Sequence, residues 1–222
     1  MKNERCWYKE VCNHDTCSGC IRYAEMKNLL DASGITEKRQ YPTELIAGID
    51  YSEFVRLAEI KSNIVEFVNR GQNLYICSNE TGNGKTSWAI KLMLKYFDCI
   101  WAGNGFRTRG LFIHVPTLLL KLKDFNNPVS EQYKADILNA DLVIWDDIAS
   151  SNLSNYDLVQ LLTFLDTRIF DQRSNIFTGN ISSQSMLEKA LGSRLASRLW
   201  NCSEVIEFKG KDRRHGTVAD NQ

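Results

Sequence analysis

One stretch constrains the fold of this chain more than any other: Ser78-Asn79-Glu80-Thr81-Gly82-Asn83-Gly84-Lys85-Thr86. It follows the apolar run Leu74-Tyr75-Ile76-Cys77 and opens into Ser87-Trp88-Ala89-Ile90-Lys91-Leu92-Met93-Leu94, which reads as a helix. Strand, glycine-rich turn and helix, in that order, are the setting in which a phosphate-binding loop works. Gly82 and Gly84 let the backbone aim successive N–H groups at phosphate oxygens. The helix opening near Lys85 adds the positive end of its dipole. Lys85 is then expected on the β- and γ-phosphates of ATP and the Thr86 hydroxyl on Mg2+. Thr81, Asn83 and Ser87 complete the residues expected around the phosphates. Asn79 stands where such loops usually carry their first glycine. Asn tolerates positive φ better than most residues, so the loop is expected to close.

A second stretch agrees with the first. Leu142-Val143-Ile144-Trp145-Asp146-Asp147 is an apolar run ending in two acids, the pattern of a buried parallel strand. Ligands of open α/β sheets collect at the carboxyl ends of strands, which brings both acids to the nucleotide. Asp146 is read as the acid that holds Mg2+ through water, and Asp147 as the one that polarises the attacking water. Asn180 closes the next strand, Asn175-Ile176-Phe177-Thr178-Gly179-Asn180, where it can bond the γ-phosphate or that water. Further strands read at Leu111–Val115 and Glu204–Phe208. With helices between them, the expectation is a three-layer α/β module on a mostly parallel five-stranded sheet. The helices are expected from Ser52 to Gly71, with Phe54, Leu57, Ala58, Ile64, Phe67 and Val68 inward, and from a Thr117 cap to Phe125. Another ends near Asn139, and a long one runs from Tyr156 to Phe170 with Leu158, Leu161, Leu162, Leu165 and Ile169 inward. Two short pieces, Gln184–Leu191 and Ser193–Trp200, follow.

The 222 residues suffice for one such domain and a small addition, and 43% hydrophobic residues with three prolines argue for a folded chain. No apolar run approaches a membrane span and no leader-like segment is visible, so a cytoplasmic protein is expected. The net charge of zero leaves any nucleic-acid contact to local patches. Of seven cysteines, Cys6, Cys12, Cys17 and Cys20 fall in the first twenty residues, with His14 among them. Cys17-Ser18-Gly19-Cys20 is a Cys-x-x-Cys knuckle, and a segment this short needs a metal to supply its folding energy. Four thiolates on zinc are the first reading, with His14 replacing Cys6 or Cys12 the second; an iron–sulfur cluster and unligated thiols stay open. Residues 1–45, ending in the linker Arg39-Gln40-Tyr41-Pro42, are thus set apart from an ATPase domain at 46–222.

Other residues have two readings. Arg107 and Arg109 in a glycine-rich loop, with Lys121 and Lys123 on the next helix, could track a phosphate backbone or form a solvated face. His114 at a strand end reads as a hydrogen-bonded core residue, since nothing near it in sequence pairs with it. Arg194 and Arg198, four apart, share a helical face. They are either solvated or placed to offset charge on a transferring phosphoryl group. Beyond Lys85, the sequence shows no other cation obviously set for that task.

The two acid-and-loop motifs, Asn180, and Gly192-Ser193-Arg194-x-x-Ser197-Arg198 together resemble the AAA+ ATPase module of the bacterial and phage DnaC/DnaI helicase loaders; the IstB-type transposition ATPases share most of it. The resemblance covers about residues 50–215, extends to a cysteine-rich piece ahead of the module, and includes Gly210-Lys211-Asp212-x-Arg214. It implies that Lys85 and Thr86 bind ATP and Mg2+, that Asn180 is sensor 1, and that Arg198 is a finger offered to the next subunit of a homo-oligomer. It further implies a bacterial protein, of cell or phage, that loads a hexameric replicative helicase onto single-stranded DNA. Asn79 and Asp147 depart from the family pattern; the aspartate, shorter than the usual glutamate, predicts slow hydrolysis. A transposition ATPase on double-stranded DNA and a nucleotide-binding adaptor with little turnover are the competing readings.

Overall fold

Every residue of β1 (Asn73–Cys77), the strand before the glycine-rich loop, is buried, because its side chains alternate between two cores. Leu74 and Ile76 enter one apolar cluster, while Tyr75 and Cys77 enter another on the opposite face. The same division holds along β3 (Leu142–Asp146) and β4 (Ser174–Gly179): Leu142, Ile144 and Ile176 point one way, Val143, Trp145 and Phe177 the other. The computed structural model describes residues 6–8, 11–13, 19–42, 44–102, 107–124, 129–149 and 153–212. With β2 (Gly110–His114) and β5 (Glu204–Glu207), these strands form one parallel sheet in the order β2-β3-β4-β1-β5. The expected five-stranded α/β sheet is present and wholly parallel.

On the first face lie α1 (Ile21–Ala32), α2 (Tyr51–Ser62), α3 (Ile64–Asn69) and α4 (Lys85–Ile100). The inner face of α4, Ala89, Met93 and Phe97, is fully buried. On the second lie α5 (Val115–Leu122), α6 (Glu131–Asn139), α7 (Asn155–Phe170) and α8 (Gln184–Trp200). The single helix expected across 52–71 breaks at Asn63, and Ala58, expected inward, is exposed on α2. Thr117 does not cap α5; the helix starts at Val115, with Pro116 in its first turn, where a missing N–H costs nothing. Thr117 bonds His114 instead. The two helical pieces expected at 184–200 are present within α8, divided where expected by the non-helical Gly192, φ 75°.

The N-terminal segment packs on the same core as the sheet: Tyr8, Met26, Leu29, Leu30 and Ile35 are buried there, with Cys6 and Cys12 against them. Cys17 and His14 of the expected zinc set lie outside the described residues. The sulfur atoms of Cys6, Cys12 and Cys20 are not all within 4.8 Å of one another, so these three do not form a metal cluster by themselves. No helix among the described residues is long and apolar enough to cross a membrane.

Candidate functional site

The parallel sheet delivers β1, β3 and β4 to one edge, and the sequence-predicted residues meet there. The loop after β1 closes with its positive φ angles on Gly82 (68°) and Gly84 (103°). Asn79 is not in that region: among described non-glycine residues only Asp147 and Gln172 are. The loop therefore closes without the conformational tolerance that Asn79 was expected to supply. Neither glycine has room for a methyl group. A Cβ on Gly82 would lie 1.9 Å from the Asp212 carboxylate, and one on Gly84 would lie 2.6 Å from the Leu45 side chain.

Within the loop, Ser78 Oγ accepts from the Glu80 amide at 3.0 Å and from the Asn83 side chain at 2.7 Å. The Asn83 amide also reaches the Gly210 carbonyl at 3.2 Å, so this side chain braces the loop against the segment after β5. Buried Lys85 donates to the Glu80 carbonyl at 2.7 Å and to Asn83 Oδ1 at 3.2 Å. Its ammonium is thus held over the concave side of the loop by neutral acceptors. Thr81 stands exposed at the tip and Ser87 is half-buried in the first turn of α4.

Across the edge, Thr86 donates its hydroxyl to Asp146 Oδ1 at 2.6 Å, and Thr178 donates to the same oxygen at 2.8 Å. Thr178 Oγ1 also accepts from the Asp147 amide at 3.1 Å, and its carbonyl from the Ile148 amide at 3.0 Å. Those bonds hold Asp147 at φ 59°, an uncommon conformation for a side-chain-bearing residue and one often kept at functional turns. Hydroxyl and carboxylate oxygens at this distance suit a hard divalent cation, so Thr86 and Asp146 fit Mg2+. Asn180 is half-buried one position beyond β4, beside the start of the loop, where the Ser78 amide meets the Gly179 carbonyl.

Three residues join the site that sequence reasoning missed. Thr178 is one. His114, expected as a hydrogen-bonded core residue, is hydrogen-bonded but not in the core: its Nδ1 is 2.8 Å from the Thr117 hydroxyl, and its Nε2, on a side chain 41% exposed, is 3.8 Å from Asp147 Oδ2. His114, Asp146 and Asp147 bring ligand atoms within 4.8 Å of one another. The third is Arg39, whose guanidinium lies 3.7 Å from Asp146 Oδ2; the site has a second cation after all, from the stretch read as a linker. A polar residue one place before the strand-ending Gly179 was the available signal for Thr178. Nothing local marks Arg39.

The remaining candidates lie elsewhere. Arg198 on α8 donates to Asp166 of α7 at 2.5 Å, with Arg194 at 3.9 Å from the same carboxylate. The Asp166 hydrogen bond raises the Arg198 pKa above its ordinary value. Asp166, Thr167, Ile169, Phe170 and Arg198 line an open groove there. Of the four possible backbone-tracking cations, Arg107 and Arg109 pair with Asp141, and Lys123 pairs with Asp157 at 2.7 Å. Lys121 alone of the four, exposed at the end of helix α5, has no ion pair among the described residues.

The chain is similar in structure to the DnaC helicase loader, with TM-score 0.65 and 18% identity, over 78% of this chain and 100% of that one. It is similar to DnaI at TM-score 0.56 and 21% identity, over 73% and 83% of the two chains. It also resembles the replication initiator DnaA bound to AMPPCP and single-stranded DNA, at TM-score 0.55 and 12% identity, over 80% and 52%. At these identities the likeness is one of fold. No curated protein matches the sequence. A family model described as IstB-like ATP binding protein matches residues 41–219, most of the chain and all of the site but Arg39, so the protein belongs to the IstB-like ATP-binding family.

Proposed function

We propose that this protein is an ATP-hydrolysing helicase loader, which assembles with ATP and delivers a hexameric replicative helicase to single-stranded DNA in the bacterial cytoplasm. The observation that carries the ATPase reading is the Thr86–Asp146 pair at 2.6 Å, because it joins the phosphate loop to the acid strand at the point where a metal-bound nucleotide would sit. Lys85 would neutralise the β- and γ-phosphates, and the loop amides around Gly82 and Gly84 would hold their oxygens. Thr86 and Asp146 would hold Mg2+, which offsets charge on the transferring phosphoryl group. Asp147 would orient the attacking water, with Asn180 beside it. Arg198 would serve the neighbouring subunit, leaving Asp166 for a phosphate when subunits assemble.

The loader reading is supported by the shared fold with DnaC over the whole of that chain and by an N-terminal segment packed onto the module. Residues 1–45 are proposed as the partner-binding part and 46–222 as the ATPase. Zinc on Cys6, Cys12, Cys17 and Cys20, with His14 as the alternative ligand, is part of the same proposal; purified protein should carry about one zinc per chain, released by Cys20→Ser. The family match favours a second reading, a transposition ATPase on double-stranded DNA. Affinity capture of the replicative helicase with and without ATP separates the two. ATP-dependent capture supports a loader; no capture, with ATP-dependent binding of double-stranded DNA, supports the transposition reading.

A further inference from the structure

Asp146 divides its two oxygens unequally. Oδ1 takes the Thr86 and Thr178 hydroxyls, while Oδ2 faces the Nη1 of Arg39 at 3.7 Å. That distance exceeds a hydrogen bond, and the guanidinium is 48% exposed above the Phe112 ring, 5.2 Å from its centre. The head group is therefore held loosely, although the backbone that carries it is not. The Phe112 amide donates to the Ser33 carbonyl at 2.7 Å, which ties the segment to β2. The buried Gln40 side chain donates to the Ile35 carbonyl at 3.1 Å. A loosely held cation on a fixed stem beside the metal-ligating acid is poised to change partners.

We propose that Arg39 is a nucleotide-state sensor supplied in cis by the N-terminal segment: it rests on Asp146 without nucleotide and passes to the terminal phosphate of bound ATP. The inference rests on the nucleotide-site reading and adds a second residue to Lys85 as a cationic phosphate ligand. Its basis is charge. Arg39 cannot keep Oδ2 once that carboxylate serves a divalent cation, since like charges a few ångströms apart repel strongly at a partly buried site. The fork of N–H donors then finds its nearest anion in the phosphate adjoining the metal, the group guanidinium matches best. ADP lacks that phosphate and offers Arg39 no equivalent.

The same move carries the nucleotide state outward. Gln40 and Tyr41 follow Arg39 directly. The Trp7 indole donates to the Gln40 carbonyl at 3.2 Å and lies flat on the Tyr41 ring, 5.3 Å away at 2°. Trp7 adjoins Cys6, so the cysteine-rich segment is one stacked pair away from the residue that reads the phosphate. ATP, and not ADP, should tighten residues 33–41.

The test is equilibrium binding of ATP and of ADP, with Mg2+, to the parent protein, Arg39→Ala, Arg39→Lys and Lys85→Ala, together with hydrogen exchange over 33–41. Arg39→Ala should weaken ATP about 10- to 100-fold, the worth of a charge-assisted hydrogen bond or two, and leave ADP unchanged. Arg39→Lys should fall between, and exchange at 33–41 should slow with ATP only. If Arg39→Ala binds both nucleotides as the parent does, or loses both by one factor, Arg39 does not sense the phosphate. Should Arg39→Ala lose thermal stability, Arg39→Lys decides by the same ratio. If parent and Lys85→Ala bind nucleotide equally, the phosphate-loop reading itself has failed, and the sensor with it.

Discussion

The Thr178 hydroxyl serves two acids at once: it donates to Asp146 and accepts from the Asp147 amide, so one side chain fixes both residues at the end of β3. In the proposed function Lys85 and Asp147 would act on different steps, and their variants should divide accordingly. Lys85→Ala should lower ATP affinity strongly, because a buried ammonium is lost from the phosphate cradle. Asp147→Asn should bind ATP as the parent does and lose most turnover, since the amide keeps the shape but is no base. Titration calorimetry and a phosphate-release assay read the two effects separately. The residues legible in the sequence are those whose chemistry is written beside a backbone signal. Gly82 and Gly84 announce Lys85 and Thr86, and the end of an apolar run announces Asp146. Thr178, His114 and Arg39 act through contacts across strands, and Arg39 reaches Asp146 from over a hundred positions away. No local pattern encodes such a contact.

At the scale of elements, α7 and α8 show where periodicity reads well and where it misleads. Leu161 and Leu165 are fully buried as expected, but Phe164 and Arg168 share that inner face and Ile169 is only half-buried. Arg168 in a last helical turn looks like an ordinary dipole partner. Instead it is fully buried and donates to the Ile137, Ala140 and Ser174 carbonyls at 2.7, 2.8 and 2.6 Å, and to Asn175 Oδ1 at 2.7 Å. Burial pulls its pKa down to about 9, which leaves it charged at neutral pH. It fastens the ends of α6 and α7 to the start of β4. Arg168→Met should orphan those carbonyls and cost at least ~3 kcal/mol at ~1–3 per buried acceptor, read as a drop in thermal or denaturant midpoint. Arg198, one helix later, makes a different forecast. Arg198→Ala should bind ATP like the parent yet lose ATP-dependent assembly and on the order of 10³-fold in turnover. Mixing it with Lys85→Ala should restore part of the activity. An inactive mixture, formed from variants that each still assemble with parent subunits, would rule out a finger supplied in trans.

The whole molecule is arranged so that its first strand is completed last. β1 carries the phosphate loop, yet its neighbours in the sheet are β4 and β5. Asn73 meets Asn175, 102 positions later, and Leu74 meets Glu204 further on still. The parallel order was legible from alternating strands and helices. The strand sequence β2-β3-β4-β1-β5 was not, since pairing partners are chosen by crossovers and by packing on both faces. That order has a consequence for how the protein is made. During synthesis at ~5–20 residues per second, β1 waits roughly 5–20 s with both edges unpaired before β4 leaves the ribosome. An apolar strand in that condition is a template for other chains. Chains stopped between α7 and β4 should therefore collect in the insoluble fraction and bind no ATP. Chains released after residue 212 should be soluble and nucleotide-competent, a contrast that stalled or truncated translation products would reveal directly.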